Sequence, residues 1–398
     1  MNSIEGLIER LCPDGVEYKA LGDVGVFLRG TSFQKKHFVD EGIPCVHYGQ
    51  LYTYYRLCAY ETKSFLGEDF ANAKSLARPG DLIIATTSEN EEDVCKAMAW
   101  LGATNVVVSN DAYIYRHTLN PKYVAYFFQS SLFQDAKKQY ITGTKVLRVS
   151  GANMAKINIP VPPMEVQEEI VRVLDSFAEL EAELEAELEA RKAQYAYYKL
   201  SLLKATPLKW VTLDEIGRFC MCKRIFKDET SSMGDVPFYK IGTFGGAPDA
   251  YISRELYADY RERFSYPSKG DLLFSCSGTI GRVVRYDGEP AYYQDSNIAW
   301  IANDETIVTN AFLKHWYSVA DWPVSKGGTI GRLYGKDVKK MRVPVFSREN
   351  QKRISESLDT FDALVNDITK GLPAEINARR KQYAYYRDRL LTFKEKKA

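Results

Sequence analysis

The chain has 398 residues, 45% hydrophobic and 26% charged. That is an ordinary globular mixture, which excludes wholesale disorder and collagen-like repeats and gives two to four units at ~100–200 residues per domain. Net charge is only +1, yet ten carboxylates and one basic residue, Arg172, between 165 and 189 give that stretch −9 and leave +10 for the rest, so the neutral sum does not exclude a nucleic-acid partner.

No apolar run reaches the ~18 residues of a membrane span, and residues 1–10 lack a basic flank followed by an apolar stretch. A cytoplasmic protein without a membrane partner is expected. Cysteines at 12, 45, 58, 95, 220, 222 and 276 are odd in number and scattered, a pattern of reduced, buried thiols rather than of disulfides or zinc.

In chain order, residues 1–160 read as a first globular unit. Apolar runs at 82–85 and 105–108, bounded by Gly, Asn, Asp or Pro, predict strands, and amphipathic 121–134 predicts a helix. From 165 to 203 the residues Val166, Ile170, Val173, Phe177, Leu180, Leu184, Leu188, Arg191, Tyr195, Tyr198 and Leu202 follow at steps of three and four. Such a stripe buries best against a similar stripe, and the helix carrying it is ~58 Å long at 1.5 Å per residue. A second unit follows at 205–344, with a strand at 272–275 and a helix at 310–319. A second stripe then runs through Ile354, Leu358, Phe361, Val365, Ile368, Leu372, Ile376, Arg379, Tyr383, Tyr386, Leu390 and Phe393. Gly371 and Pro373 interrupt it and are expected to end one helix and start another.

These elements are written twice. Ile159-Pro160-Val161-Pro162, then Gln167, Leu174, Asp175 and Phe177, returns as Val343-Pro344-Val345, then Gln351, Leu358, Asp359 and Phe361. Gln194-Tyr195-Ala196-Tyr197-Tyr198 returns as Gln382-Tyr383-Ala384-Tyr385-Tyr386. Leu21 to Gly25 matches Leu213 to Gly217, and Gly143 to Arg148 matches Gly327 to Arg332. The expected fold is α+β: two globular domains, 1–160 and 205–344, each followed by a spacer segment, 161–204 and 345–398, with the two helical stripes packed as an antiparallel coiled coil of pseudo-two-fold symmetry.

Phosphate attraction dominates affinity for DNA, so basic residues should gather on the DNA-facing side. Lys137, Lys138, Lys145, Arg148 and Lys156 fall in a stretch without one acid. Lys326, Arg332, Lys336, Lys339, Lys340 and Arg342 lie near the matching place in the second unit, and the loops 29–37 (Arg29, Lys35, Lys36) and 223–227 (Lys223, Arg224, Lys227) add two further groups. Arginine suits guanine's O6/N7 edge, and Gln50 or Gln294 suits adenine. In the Gly-Thr-Ile-Gly-Arg strings at 278–282 and 328–332, glycine shapes turns, which leaves Arg282 and Arg332 as DNA contacts.

Catalytic patterns are missing. There is no GxxxxGK[ST] phosphate loop and no Asn/Asp-Pro-Pro-aromatic string. Histidines 37, 47, 117 and 315 have no metal or triad spacing, and the acids Glu89, Glu91, Glu92 and Asp93 read as a solvated loop. No catalytic residue and no metal site is expected.

The doubled layout, the Pro-containing boundaries, the repeated Gln-Tyr-Ala-Tyr-Tyr and the Gly-Thr-Ile-Gly-Arg strings resemble the specificity (S) subunit of type I restriction–modification enzymes, over essentially the whole chain. The resemblance implies that each globular unit is a target recognition domain and that the paired helices fix the distance between half-sites. It further implies double-stranded DNA, two methyltransferase (modification) subunits and two restriction (translocase/nuclease) subunits as partners. S-adenosylmethionine, ATP and Mg²⁺ would serve those partners, with no cofactor on this chain. Where the second unit has Gly-Thr-Ile-Gly-Arg, the first has Ser88-Glu89-Asn90 and 143–148, so the heads are expected to read different halves of an asymmetric bipartite target. A stand-alone DNA-binding protein, or a coiled-coil adaptor without restriction partners, is the alternative; the adaptor would show no salt-dependent DNA binding.

Overall fold

The computed structural model describes residues 2–70, 73, 75–325 and 331–396. The chain divides into two compact units, Met1–Glu185 with Glu375–Ala398, and Ala186–Ala374.

In the first unit one five-stranded sheet runs Gly25–Arg29, Ala112–His117, Leu82–Ala85, Ala97–Trp100, Cys58–Ala59. A second runs Phe38–Val39, Ser64–Leu66, Ile43–Val46, Val106–Val108, Leu76–Ala77. Leu82–Ala85, Ala97–Trp100 and Val106–Val108 are buried along their whole lengths, which is why they read as unbroken apolar runs rather than alternating ones. The helix expected over 121–134 is two helices, Pro121–Gln129 and Ser131–Lys138. Asn120 caps the first through the N–H groups of Lys122 and Tyr123, and Ser130 breaks the run because its hydroxyl caps the second at Phe133.

The second unit repeats the plan. A four-stranded sheet runs Gly217–Cys220, Ile298–Asn303, Leu272–Ser275, Val283–Arg285, beside a three-stranded sheet of Tyr251–Ile252, Val236–Tyr239 and Tyr292–Tyr293. Each unit is closed by a two-stranded antiparallel pair, Tyr18–Ala20 with Asn158–Pro160 in the first and Lys209–Thr212 with Arg342–Val345 in the second.

A buried glutamine ties each head to its helix. Gln167 accepts from the Asn120 N–H at 2.9 Å and donates to the Pro162 carbonyl at 2.8 Å. Gln351 accepts from the Thr309 N–H at 2.8 Å and donates to the carbonyls of Ile307 (3.0 Å) and Phe346 (2.8 Å). The recurrence of this glutamine in both halves therefore has a structural reason: each satisfies backbone groups that would otherwise be buried without partners.

Helix Met164–Leu203 is continuous for 40 residues, its first part belonging to one unit and its second to the other. In the first unit Phe177 stacks on Tyr386 (centroids 5.4 Å, 20°), and Arg380 donates to Glu181 at 2.6 Å and also to Glu185. Contacts of 177 with 386 and of 181 with 380 run in opposite chain directions, so the pairing is antiparallel. Within the second unit the Tyr195 and Tyr198 rings stack on Phe361 at 6.4 and 5.9 Å, and the Tyr195 hydroxyl donates to Asp362 at 3.3 Å. The second helical segment breaks into Arg348–Asn366 and Leu372–Leu390. Gly371 makes the break possible, since a Cβ there would lie 2.4 Å from the Ala363 carbonyl oxygen.

Most stripe residues face inward. Ile376, Leu390 and Val365 are buried, and Val173, Leu184, Leu188 and Tyr383 are half-buried. Ile170, Ile354 and Leu358 are sealed within the hydrophobic cores of their own units rather than serving a helix–helix seam alone. Three seam residues are exposed; of these Tyr198, 41% exposed, still stacks on Phe361, and the other two fail as seam positions. Leu180 is 51% exposed, and near it in the chain the acids Glu181 and Glu185 take Arg380 of the facing helix. Ile368 is 78% exposed, because it lies in the turn between the two shorter helices.

Candidate nucleic-acid interface

In the second unit the loop after strand Gly217–Cys220, the loop 294–297 and the segment 332–335 border a cleft of ≈ 940 Å³. Arg224, Lys227, Lys240, Gln294, Asn297 and Arg332 line it, with Met221, Phe226 and Tyr334 adding apolar surface. Arg224 pairs with Asp295 at 2.8 Å and keeps 58% of its side chain exposed. Lys240 pairs with Asp249 at 2.8 Å. Lys223 lies over the Phe264 ring at 5.2 Å, and Lys223, Lys227 and Lys336 are exposed.

Two arginines expected to contact DNA serve the fold as well. Arg332 donates to the Ser296 carbonyl (3.0 Å) and to Asn297 (3.2 Å), so it braces the cleft wall. Its neighbour Cys276 is buried, which pushes the thiol up to about 12 against the pull of Arg332. Arg282 donates to the Phe244 carbonyl at 2.8 Å while remaining exposed overall. Gln294 spends its amide oxygen on the Ile241 N–H at 3.0 Å.

On the first unit Arg29, Lys35, Lys36, Lys138, Lys145, Arg148 and Lys156 are exposed. Arg29 donates to the Asn110 carbonyl at 3.4 Å, and Lys138 pairs with Asp135 at 2.8 Å. Arg148 sits on strand Leu147–Arg148, which pairs with Thr87–Ser88.

Two candidates are corrected. Lys137 is 1% exposed, and its ammonium donates to the carbonyls of Val94 (2.7 Å) and Glu92 (3.1 Å), with burial lowering its pKa. It staples a loop and does not face DNA. Gln50 is also buried, its amide held between the His47 N–H and the Ser64 hydroxyl. Lys326 and positions 328–330 of the second Gly-Thr-Ile-Gly-Arg string lie outside the described residues.

The sequence reading missed the apolar rim. Phe226 is 58% exposed within a run of basic residues, and that juxtaposition was the available signal. Elsewhere, the acids at 89–93 form a self-capped turn through Asn90 and Asp93. Among the described residues no cluster of three or more His, Cys, Asp or Glu is placed to hold a metal, and no helix is long and apolar enough to cross a membrane.

The family of the type I restriction modification DNA specificity domain matches the chain at residues 13–190 and again at 207–378. The chain belongs to the type I specificity subunits. The specificity subunit is the DNA-recognising, non-catalytic member of a type I restriction–modification enzyme. A Haemophilus influenzae protein named for a type I restriction enzyme specificity subunit is 48% identical over 263 residues, 64% of this chain and 68% of that one. The specificity subunit of EcoR124I/EcoR124II from Escherichia coli is 32% identical over 302 residues, 68% of this chain and 70% of its own. The fold of this specificity subunit matches a chain solved for the complex assembly and conformational transition of the type I R-M system (TM-score 0.61, 17% identity, 95% of this chain, 97% of that one). It also matches the HsdS subunit from Thermoanaerobacter tengcongensis (TM-score 0.55, 16% identity, 96% and 99%).

Proposed function

We propose that this specificity subunit reads an asymmetric bipartite DNA target, with domain 1–160 on one half-site, domain 205–344 on the other, and the segments 161–204 and 345–398 setting the spacer between them. The observation that carries this is one fold plan used twice with unlike faces. The second unit offers a cleft edged by Arg224, Lys227, Gln294 and Asn297; the first offers the exposed cations Arg29, Lys35, Lys36, Lys145 and Arg148. Cations of this kind supply phosphate affinity and register, while few side chains reach base edges. Half-sites one DNA turn apart lie ~34–36 Å from centre to centre, and an unbroken 40-residue helix is ~60 Å long, ample for that reach.

The partners in this reading are double-stranded DNA, two modification subunits and two restriction subunits, in the cytoplasm. S-adenosylmethionine, ATP and Mg²⁺ are used by those partners. Methylome sequencing of a host expressing this chain with its modification subunit tests the reading. A bipartite methylated motif that disappears when this chain is omitted is the expected result. Methylation by the purified chain alone, or a motif indifferent to this chain, defeats it.

A further inference from the structure

Each unit carries the same short capped turn, its capping residue nine positions beyond the glycine that opens the unit's second strand, Gly25 or Gly217. In the first unit Gln34 precedes the turn Lys35–His37; in the second Phe226 precedes Lys227–Glu229. Both capping residues are extended, with ψ of 163°. The Gln34 N–H donates to His37 Nδ1 at 3.1 Å, and the Phe226 N–H donates to a Glu229 carboxylate oxygen at 2.7 Å. The His37 N–H returns to the Gln34 carbonyl at 2.9 Å, and the Glu229 N–H to the Phe226 carbonyl at 3.1 Å.

The backbone device is thus repeated with different side chains closing it. A second element steadies each closing residue: the Phe70 ring lies 5.5 Å from His37, and the Tyr260 hydroxyl donates to Glu229 at 3.4 Å. A lysine follows the capping residue in both turns, Lys35 and Lys227, and both are exposed. What differs is the presented group. Gln34 is exposed, and Phe226 leaves 58% of its surface in water where it lines the cleft. A phenyl ring held exposed on a capped turn, at a cleft lined by four basic side chains and by the acids Asp249 and Asp295, is poorly explained by folding and well explained by contact with a partner that is anionic around an apolar or stacked interior.

We propose that this turn is the base-reading tip of each unit, Gln34 recognising an adenine through its amide and Phe226 recognising a thymine through its C5 methyl. Glutamine matches adenine's N6/N7 edge and phenylalanine matches the thymine methyl, both in the major groove. The flanking lysines supply phosphate attraction without sequence preference, and the prearranged backbone spares the ordering cost of binding. The proposal rests on the DNA-reading function above.

The test uses the chain assembled with its modification subunit and duplexes carrying its methylated motif. 7-Deazaadenine at one adenine of one half-site should weaken binding of the wild type by about five- to 150-fold and leave Gln34→Ala unaffected. Uracil at one thymine of the other half-site should weaken the wild type about fourfold, the worth of one buried methyl group. Phe226→Ala should ignore that change, and Phe226→Leu should still sense it. Equal denaturation midpoints for all variants show that folding is intact. Variants that respond to every base analogue as the wild type does overturn the proposal, as does a uniform loss of affinity with no positional change. A wild-type complex without any sequence preference sinks the DNA-reading function instead.

Discussion

Individual side chains in this protein divide by what surrounds them rather than by their charge. Lys36 and Lys137 are both lysines of the first unit, but one is exposed and the other is clamped by two carbonyls. Replacing Lys36 with alanine should lower the slope of log affinity against log salt by about one, as expected for a lost phosphate contact. Lys137→Ala should leave that slope unchanged and lower the denaturation midpoint. Anisotropy titrations of the assembled complex across salt concentrations separate the two; a changed slope for Lys137→Ala would return it to the DNA face. His117 gives a pH handle. Both its ring nitrogens are sealed from solvent, and burial pulls its pKa down to about 4, with Asp81 and the Leu119 backbone acting in the opposite sense. The unfolded chain binds that proton near 6.5, so stability is lost as pH falls from about 6.5 towards 4. His117→Phe, whose ring can keep the packing on Tyr115, should flatten this part of the profile. Denaturant midpoints measured against pH would show identical slopes if His117 carries no part of it.

At the level of elements, the joint between head and helix is the critical feature. Gln351 satisfies three backbone groups at once, so Gln351→Ala should cost on the order of 2–4 kcal/mol by leaving buried groups unpaired. Gln194→Ala, on a more open face of the long helix, should change stability by no more than about 0.5 kcal/mol. Chemical denaturation of both variants checks this, and equal effects would remove the special role of the joint. The next repeated position shows how the units diverged: Asp175 is held by Lys122 and the Tyr126 hydroxyl, both at 2.7 Å, whereas Asp359 is held by Lys314 and His315, both at 3.1 Å. The carboxylate was kept and its partners were exchanged. The periodicity announced both helical stripes, and Gly371 with Pro373 announced the break, because stripe and breaker are both local properties of sequence. It could not announce that Leu180 stays exposed or that Ile368 falls in a turn, because both depend on what the rest of the fold brings.

For the molecule as a whole, the long helix continues from one unit into the other without a break, while the last helix returns to the first unit. If the spacer segments act as a ruler, inserting four residues after Leu184 adds about one helical turn and should lengthen the unread gap between half-sites while both half-sites stay the same. Methylome sequencing reads both quantities, and an altered half-site with an unchanged gap would count against the ruler. Exchanging residues 206–342 for those of another specificity subunit should alter one half-site only.

The amino-acid sequence alone determined that the protein is built twice, that one helical stripe follows each α+β unit, and that the two heads differ in sequence. Repeats, periodicity and residue type are all written along the chain. Tertiary structure alone decided which polar groups remain available to a partner. Lys137 meets carbonyls of residues 92 and 94, Gln50 meets Ser64, and Arg332 meets Ser296 and Asn297. These partners are brought together only by folding, and a buried donor must find an acceptor wherever the fold supplies one.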